Sequence, residues 1–79
     1  MRLRYLHYLV RISKEKNFGR AAISCGVTQS TLSSAIQKME NDLGVPLIER
    51  DKKFKRFTVE GEIFLDWARK VISEKKVLD

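Results

Sequence analysis

The sequence predicts one mainly α-helical domain with a small β-hairpin, and three observations carry that expectation. Apolar residues recur at helical spacing in several separate segments, a Gly-centred turn divides two of these segments, and two short apolar stretches flank a basic run late in the chain. With 79 residues there is room for one small domain over positions 1–79 and not for two. No apolar run approaches the roughly 18 residues needed to span a bilayer, and the start shows no signal-peptide pattern, so no membrane partner and a cytoplasmic location are expected. A single Cys25 and a single His7 leave no internal disulfide and no zinc constellation; no cofactor is expected.

The first helix rests on Leu3, Leu6, Leu9, Val10 and Ser13, flanked by Tyr5 and Ile12 and separated by charged residues. The segment from Asn17 to Ser24 reads as a short second helix, with Gly19 as its N-cap and Phe18 stapled onto Ile23. Cys25, Gly26 and Val27 break that helix, Gly26 supplying a residue tolerant of positive φ. Thr28 then caps a third helix running to Leu43, with Val27 placed to staple onto Leu32. Two helices joined by a tight Gly turn form a helix-turn-helix candidate.

The third helix carries the most informative face. Leu32, Ile36, Met39 and Leu43, with Ala35 beside them, make the stripe expected to be buried. The opposite face holds Gln29, Ser30, Ser33, Ser34, Gln37, Lys38 and Asn41. A merely wet helix face is usually rich in Lys, Glu and Arg, whereas short hydroxyls and amides suit close hydrogen bonding to base edges and phosphates. Gly44 is expected just past the end of this helix, and Pro46 prevents its continuation.

Leu47 to Arg50 and Phe57 to Thr58 read as two short strands, which makes Asp51 to Arg56 the tip of a hairpin. A basic hairpin beside a helix-turn-helix is a wing. Thr58 also caps a last helix running to the C-terminus, whose apolar residues Ile63, Phe64, Trp67, Ala68, Val71, Ile72 and Leu78 exceed what one small core needs. Two uses compete for that face, covering the domain's own core and meeting a second chain.

Sixteen Lys and Arg stand against ten Asp and Glu, giving a net charge of +6. The excess is uneven: residues 1 to 20 hold six positive and one negative charge, residues 21 to 43 one and two, residues 44 to 60 five and three, and residues 61 to 79 four and four. Five of the seven residues from Arg50 to Arg56 are basic. An anionic partner follows. An acidic protein would satisfy the charge but leave the neutral face of the third helix without a use. There is no paired nucleophile and base, no metal-ligand cluster and no Gly-rich phosphate loop, so an enzyme is not expected; Glu40, Asp42 and Glu49 read as solvated charges near element ends.

The run Phe18, Gly19, Arg20, Ala21, Ala22, then Val27 to Ser33, then Met39 to Arg50, and finally Phe57, Thr58 and Gly61 resembles the N-terminal DNA-binding domain of LysR-type transcriptional regulators. Within that family, Ser24, Cys25, Val27, Gln29, Thr31, Leu32 and Ser33, together with Asp66, Ala68, Arg69, Val71, Glu74, Lys76, Val77 and Leu78, are similar to the hydrogen-peroxide-responsive branch. The resemblance implies a bacterial winged helix-turn-helix followed by a dimerising linker helix that begins at residue 58, with the effector domain of a longer regulator lying outside the chain. It implies double-stranded DNA carrying an interrupted inverted repeat as partner, a homodimer through the last helix, and tetramers of the full-length protein.

Carried over by position, DNA contacts fall on Gln29, Ser30, Thr31, Ser33, Ser34 and Lys38 of the third helix. Others fall on Arg50, Lys52, Lys53, Lys55 and Arg56 of the wing. Phe64, Trp67, Ala68, Val71, Ile72 and Leu78 are the expected dimerisation residues. Two positions depart from the family pattern: Ser34 stands where a large basic or aromatic residue is frequent, and Glu60 where Ala is common. Cys25, at the end of the second helix, is expected to be a buried structural thiol.

Overall fold

A computed structural model describes the backbone of residues 2–78 and the side chains of residues 2–73. The chain runs α1 (Leu3–Glu15), α2 (Phe18–Cys25), α3 (Gln29–Leu43), β1 (Ile48–Glu49), β2 (Arg56–Phe57) and α4 (Val59–Leu78). The strands pair antiparallel, Ile48 opposite Phe57 and Glu49 opposite Arg56. They are two residues each, shorter than expected. Leu47 and Arg50 fall outside β1. Thr58 falls outside β2: its N–H donates to Leu47 O at 2.9 Å and its side chain caps the following helix, accepting the Gly61 N–H at 2.9 Å.

Each helix ends for a local reason. Lys16 takes a left-handed conformation (φ 52°) after α1 and donates its N–H to Ile12 O. Gly26 and Gly44 do the same after α2 and α3 at φ 70° and 75°, a region glycine enters without Cβ strain. The N-cap of α2 is Asn17 and not Gly19: the Asn17 side chain accepts the Arg20 N–H at 2.9 Å, which a glycine has no atom to do. The expected staple is absent too. Phe18 turns into the core while Ile23 is 81% exposed. Thr28 caps α3 as expected, accepting the Thr31 N–H at 3.1 Å.

The main core gathers Leu9 and Ile12 of α1, Phe18, Ala21 and Ala22 of α2, Leu32, Ala35, Ile36 and Met39 of α3, Leu47 and Ile48, and Leu65 of α4. Leu43, expected at the end of the buried stripe of α3, is 40% exposed, at a surface it shares with Val45 and Trp67. Leu65, which the reading of the last helix omitted, is 2% exposed. A second cluster joins Leu6 of α1 to Ala68 and Ile72 of α4. That packing lays α4 along α1 and fixes the direction in which the long helix leaves the domain.

Candidate nucleic-acid interface

The candidate recognition element is α3. Its inner stripe is held in the core, so its rotation about its own axis is set, and Gln29, Ser30, Thr31, Ser34, Gln37 and Lys38 are all exposed on the other side. Ser33 is only half-exposed, between the two faces. Thr31 is partly engaged already: its hydroxyl accepts from Thr28 Oγ1 at 2.9 Å. Gln29 lies beside Gly19, where a Cβ would stand 3.5 Å from Gln29 Oε1 and 3.3 Å from Asn17 Oδ1. The absence of a side chain at Gly19 therefore leaves room at the helix-turn-helix corner for both amides.

The wing is built by backbone capping and aromatic packing rather than by length of sheet. Asp51 Oδ1 accepts the N–H groups of Lys53 at 3.0 Å and Phe54 at 2.9 Å, and these bonds hold its carboxyl below the usual aspartate range. Phe54 packs against Phe18 and Phe57, with ring centroids 6.3 and 5.4 Å apart. The Phe18 N–H donates to Lys53 O at 2.9 Å, joining the tip of the wing to the start of α2.

The basic residues of the wing divide into two kinds. Lys52, Lys53 and Lys55 are exposed and, among the described residues, have no ion-pair partner. Arg56 pairs with Glu49 across the hairpin at 3.2 Å. Arg50 is more constrained: its guanidinium lies over the Phe18 ring, 4.9 Å from the centroid, and 3.9 Å from Glu40 Oε1, with a third of its side chain exposed. The structure thus brings ten of the eleven expected contact residues to the surface of α3 and the wing, and half-buries Ser33.

Glu40 corrects the sequence reading. It is not a solvated charge: its side chain is 12% exposed, and Oε2 accepts the N–H groups of Leu47 at 2.8 Å and Ile48 at 3.3 Å. One carboxylate therefore fixes the entry to the hairpin against α3 while its other oxygen faces Arg50. Asp42 and Glu49 are exposed as expected.

The apolar face of α4 is divided differently from the expectation. Ala68 and Ile72 are buried against Leu6 of the same chain, so they serve the domain's own packing and are not available to a second one. Phe64 and Val71 are half-buried. Trp67 is 50% exposed and stacks at 5.2 Å on Phe64, and Ile63 is 67% exposed. These three line a shallow apolar groove with Leu43 and Val45. The side chain of Leu78 lies outside the described residues. His7 is exposed; Cys25 is half-buried at the end of α2, and burial pushes its thiol up against the opposing pull of Arg11.

Residues 3–62 match the family described as bacterial regulatory helix-turn-helix protein, lysR family. The chain belongs to this family. Among LysR relatives, it is 47% identical over 78 residues to the DNA-binding transcriptional dual regulator OxyR of Escherichia coli strain K12, covering 99% of this chain and 26% of that one. It superposes on full-length OxyR of Pseudomonas aeruginosa with a TM-score of 0.92 and 41% identity, covering 99% of this chain and 27% of the other. The BenM DNA-binding domain, solved in complex with catB site 1 DNA, superposes with a TM-score of 0.92 and 36% identity, covering 99% and 84%. The chain spans about a quarter of the length of the regulators it matches in sequence. The fold is the winged helix-turn-helix of LysR DNA-binding domains, and the curated relatives the chain matches are named as transcriptional regulators. Among the described residues, no helix is long and apolar enough to cross a membrane.

Proposed function

We propose that this chain binds double-stranded DNA sequence-specifically as the DNA-binding domain of a LysR-type regulator, with α3 in the major groove and the wing on the phosphate backbone. The observation that carries the reading is the outer face of α3, a rigidly seated helix that presents an exposed amide, hydroxyls and one cation instead of a field of paired charges. The DNA-bound likeness of the BenM domain supports it.

The division of labour follows from the chemistry. Lys52, Lys53 and Lys55, with the exposed part of Arg50, meet phosphates and supply the salt-dependent affinity, which carries no sequence information by itself. Gln29, at the first turn of α3, can bond adenine N6 and N7 together, a contact worth about 1–3 kcal/mol against a wrong base. Ser30, Ser34 and Lys38 add hydrogen bonds along the same face. A second copy pairing through the exposed part of α4 would present two recognition helices to half-sites roughly 34 Å apart, which fits an interrupted inverted repeat.

The test is duplex binding measured on a selected site and on a scrambled site. Gln29→Ala is expected to lower the ratio of the two affinities by about 5- to 150-fold. An unchanged ratio removes Gln29 from base reading, and equal binding of both duplexes by the unaltered chain overturns sequence-specific recognition.

The likeness to proteins named hydrogen peroxide-inducible genes activators, 47% identical over 78 residues, supports placing the domain in the peroxide-inducible branch. Cys25 is assigned no part in that response: it is half-buried at the end of α2, and burial disfavours the thiolate that would attack peroxide. Cys25→Ser is expected to leave DNA binding and its insensitivity to peroxide unaltered in this domain.

A further inference from the structure

On the side of α3 away from the wing, the start of α1 and the outer face of α3 form a concave surface lined by Arg2, Arg4, Tyr5, Ser30, Ser34 and Lys38. Its cations come from two elements, Arg2 and Arg4 from the beginning of α1 and Lys38 from the middle of α3. Among the described residues none of the three has an ion-pair or hydrogen-bond partner for its side chain, whereas Arg50, Arg56 and Arg69 each face a carboxylate. Ser30 and Ser34 bring hydroxyls to the same concave surface. Uncommitted guanidinium and ammonium groups converging with hydroxyl donors on a shallow concavity match the chemistry of a phosphodiester backbone, in which each phosphate accepts from both kinds of donor.

We infer that Arg2 and Arg4 form a second phosphate grip, on the backbone strand that flanks α3 opposite the wing. The inference rests on the DNA-binding reading above and adds to it residues that neither the neutral face of α3 nor the basic hairpin indicated. Its geometric content is a bracket. The wing holds one backbone strand, the α1–α3 surface holds the other, and α3 lies between them. Two separated grips resist rotation of the helix in the groove, which a single grip does not, so Arg2 and Arg4 fix orientation as well as affinity.

The experiment compares the salt dependence of duplex binding for the unaltered chain, for Arg2→Gln with Arg4→Gln, and for Lys14→Gln with Lys70→Gln. The last pair removes the same two charges from exposed positions elsewhere on α1 and α4. The expected result for the arginine pair is a slope of log K against log salt shallower by about 1.8 per bound chain, with affinity lost by the same factor on selected and scrambled duplexes. Phosphate ethylation interference should also vanish at one or two phosphates on the strand away from the wing. The lysine pair is expected to keep both the slope and the interference pattern. Equal slopes for the two double variants, or an interference pattern unaltered by losing Arg2 and Arg4, overturns the second grip while leaving the DNA-binding reading standing. No salt-dependent duplex binding by the unaltered chain overturns both. Circular dichroism confirms that the variants are folded, since both arginines project from the exposed start of α1 and none of the core depends on them.

Discussion

Glu40 and Leu47, seven positions apart, are joined by a carboxylate that accepts the Leu47 N–H at 2.8 Å, and Leu47 is itself fully buried. The Leu47 carbonyl in turn accepts the Thr58 N–H at 2.9 Å, so the last turns of α3, the hairpin entry and the cap of α4 meet at one residue. Glu40→Ala leaves the N–H groups of Leu47 and Ile48 without their acceptor and Arg50 without its carboxylate. A buried hydrogen bond to a charged group contributes about 1.5–3 kcal/mol. The expected outcome is a loss of about that size in urea denaturation, and a smaller loss for Glu40→Gln, which keeps an acceptor oxygen. Equal stability of Glu40→Ala and the unaltered chain would show that the hairpin entry is held by other contacts.

Gly61 packs against the same node. A Cβ built there would overlap the Leu47 carbonyl oxygen and stand 2.8 Å from its carbonyl carbon, and a backbone neighbour cannot rotate away as a side chain can. Gly61→Ala therefore has to push α4 off the hairpin, although alanine favours helix on propensity alone. Overpacking of this kind costs about 3 kcal/mol or more. Denaturant titration should show that destabilisation, and a variant as stable as the original would mean that α4 has room to shift.

The exposed part of α4 gives a third outcome. Ile63→Asp with Trp67→Asp should abolish pairing of chains while altering stability little, because both side chains are at least half-exposed within one chain. Sedimentation is the measurement. The unaltered chain should approach twice 9.2 kDa as concentration rises, and the variant should stay at the monomer mass. Concentration-dependent association persisting in the variant would place the interface on another face.

The wing turn carries a pH dependence through Asp51. The N–H group of Phe54, and after it that of Lys53, favours its charged form and lowers its folded-state pKa. The stabilisation is present above the ordinary aspartate pKa and disappears as pH falls through the lowered folded value. The amide resonances of Lys53 and Phe54 should move together with a midpoint below that of an unstructured aspartate. Asp51→Asn should remove the titration, and a midpoint at or above the ordinary value would mean that the turn does not depend on the charged carboxylate.

The helices, their order and the face of α3 that points outward were legible because they depend on apolar spacing and on Thr28, Gly26 and Gly44, which act locally. The N-cap of α2 was misread locally, Gly19 for Asn17, and the other misreadings concern choices made by contacts distant in sequence. Phe18 stapled nothing on its own helix because Phe54, thirty-six positions away, gave it a partner in the core. Glu40 looked like an ordinary surface acid because its two amide donors lie in the hairpin entry beyond Pro46, where the backbone needs an acceptor that no local pattern announces. Ala68 and Ile72 could not be told from Ile63 and Trp67 by periodicity, since all four lie on the apolar side of α4 and only the position of Leu6 divides them. The strand lengths were overestimated because Thr58 divides its bonds, its N–H reaching back to Leu47 O while its side chain caps the following helix.

The Phe18 N–H bond to Lys53 O makes the wing part of the helix-turn-helix rather than an arm attached to it. A free arm would follow the contour of whatever duplex it met. On the proposed DNA-bound reading this one is a jaw of fixed gape, which sets the distance between the phosphates the wing would meet and the base pairs under Gln29. A duplex of the wrong local width or curvature must deform to be held, at a cost set by its own sequence. On that reading, base pairs that no side chain reaches would be sorted by their stiffness, and the domain would measure DNA as well as read it.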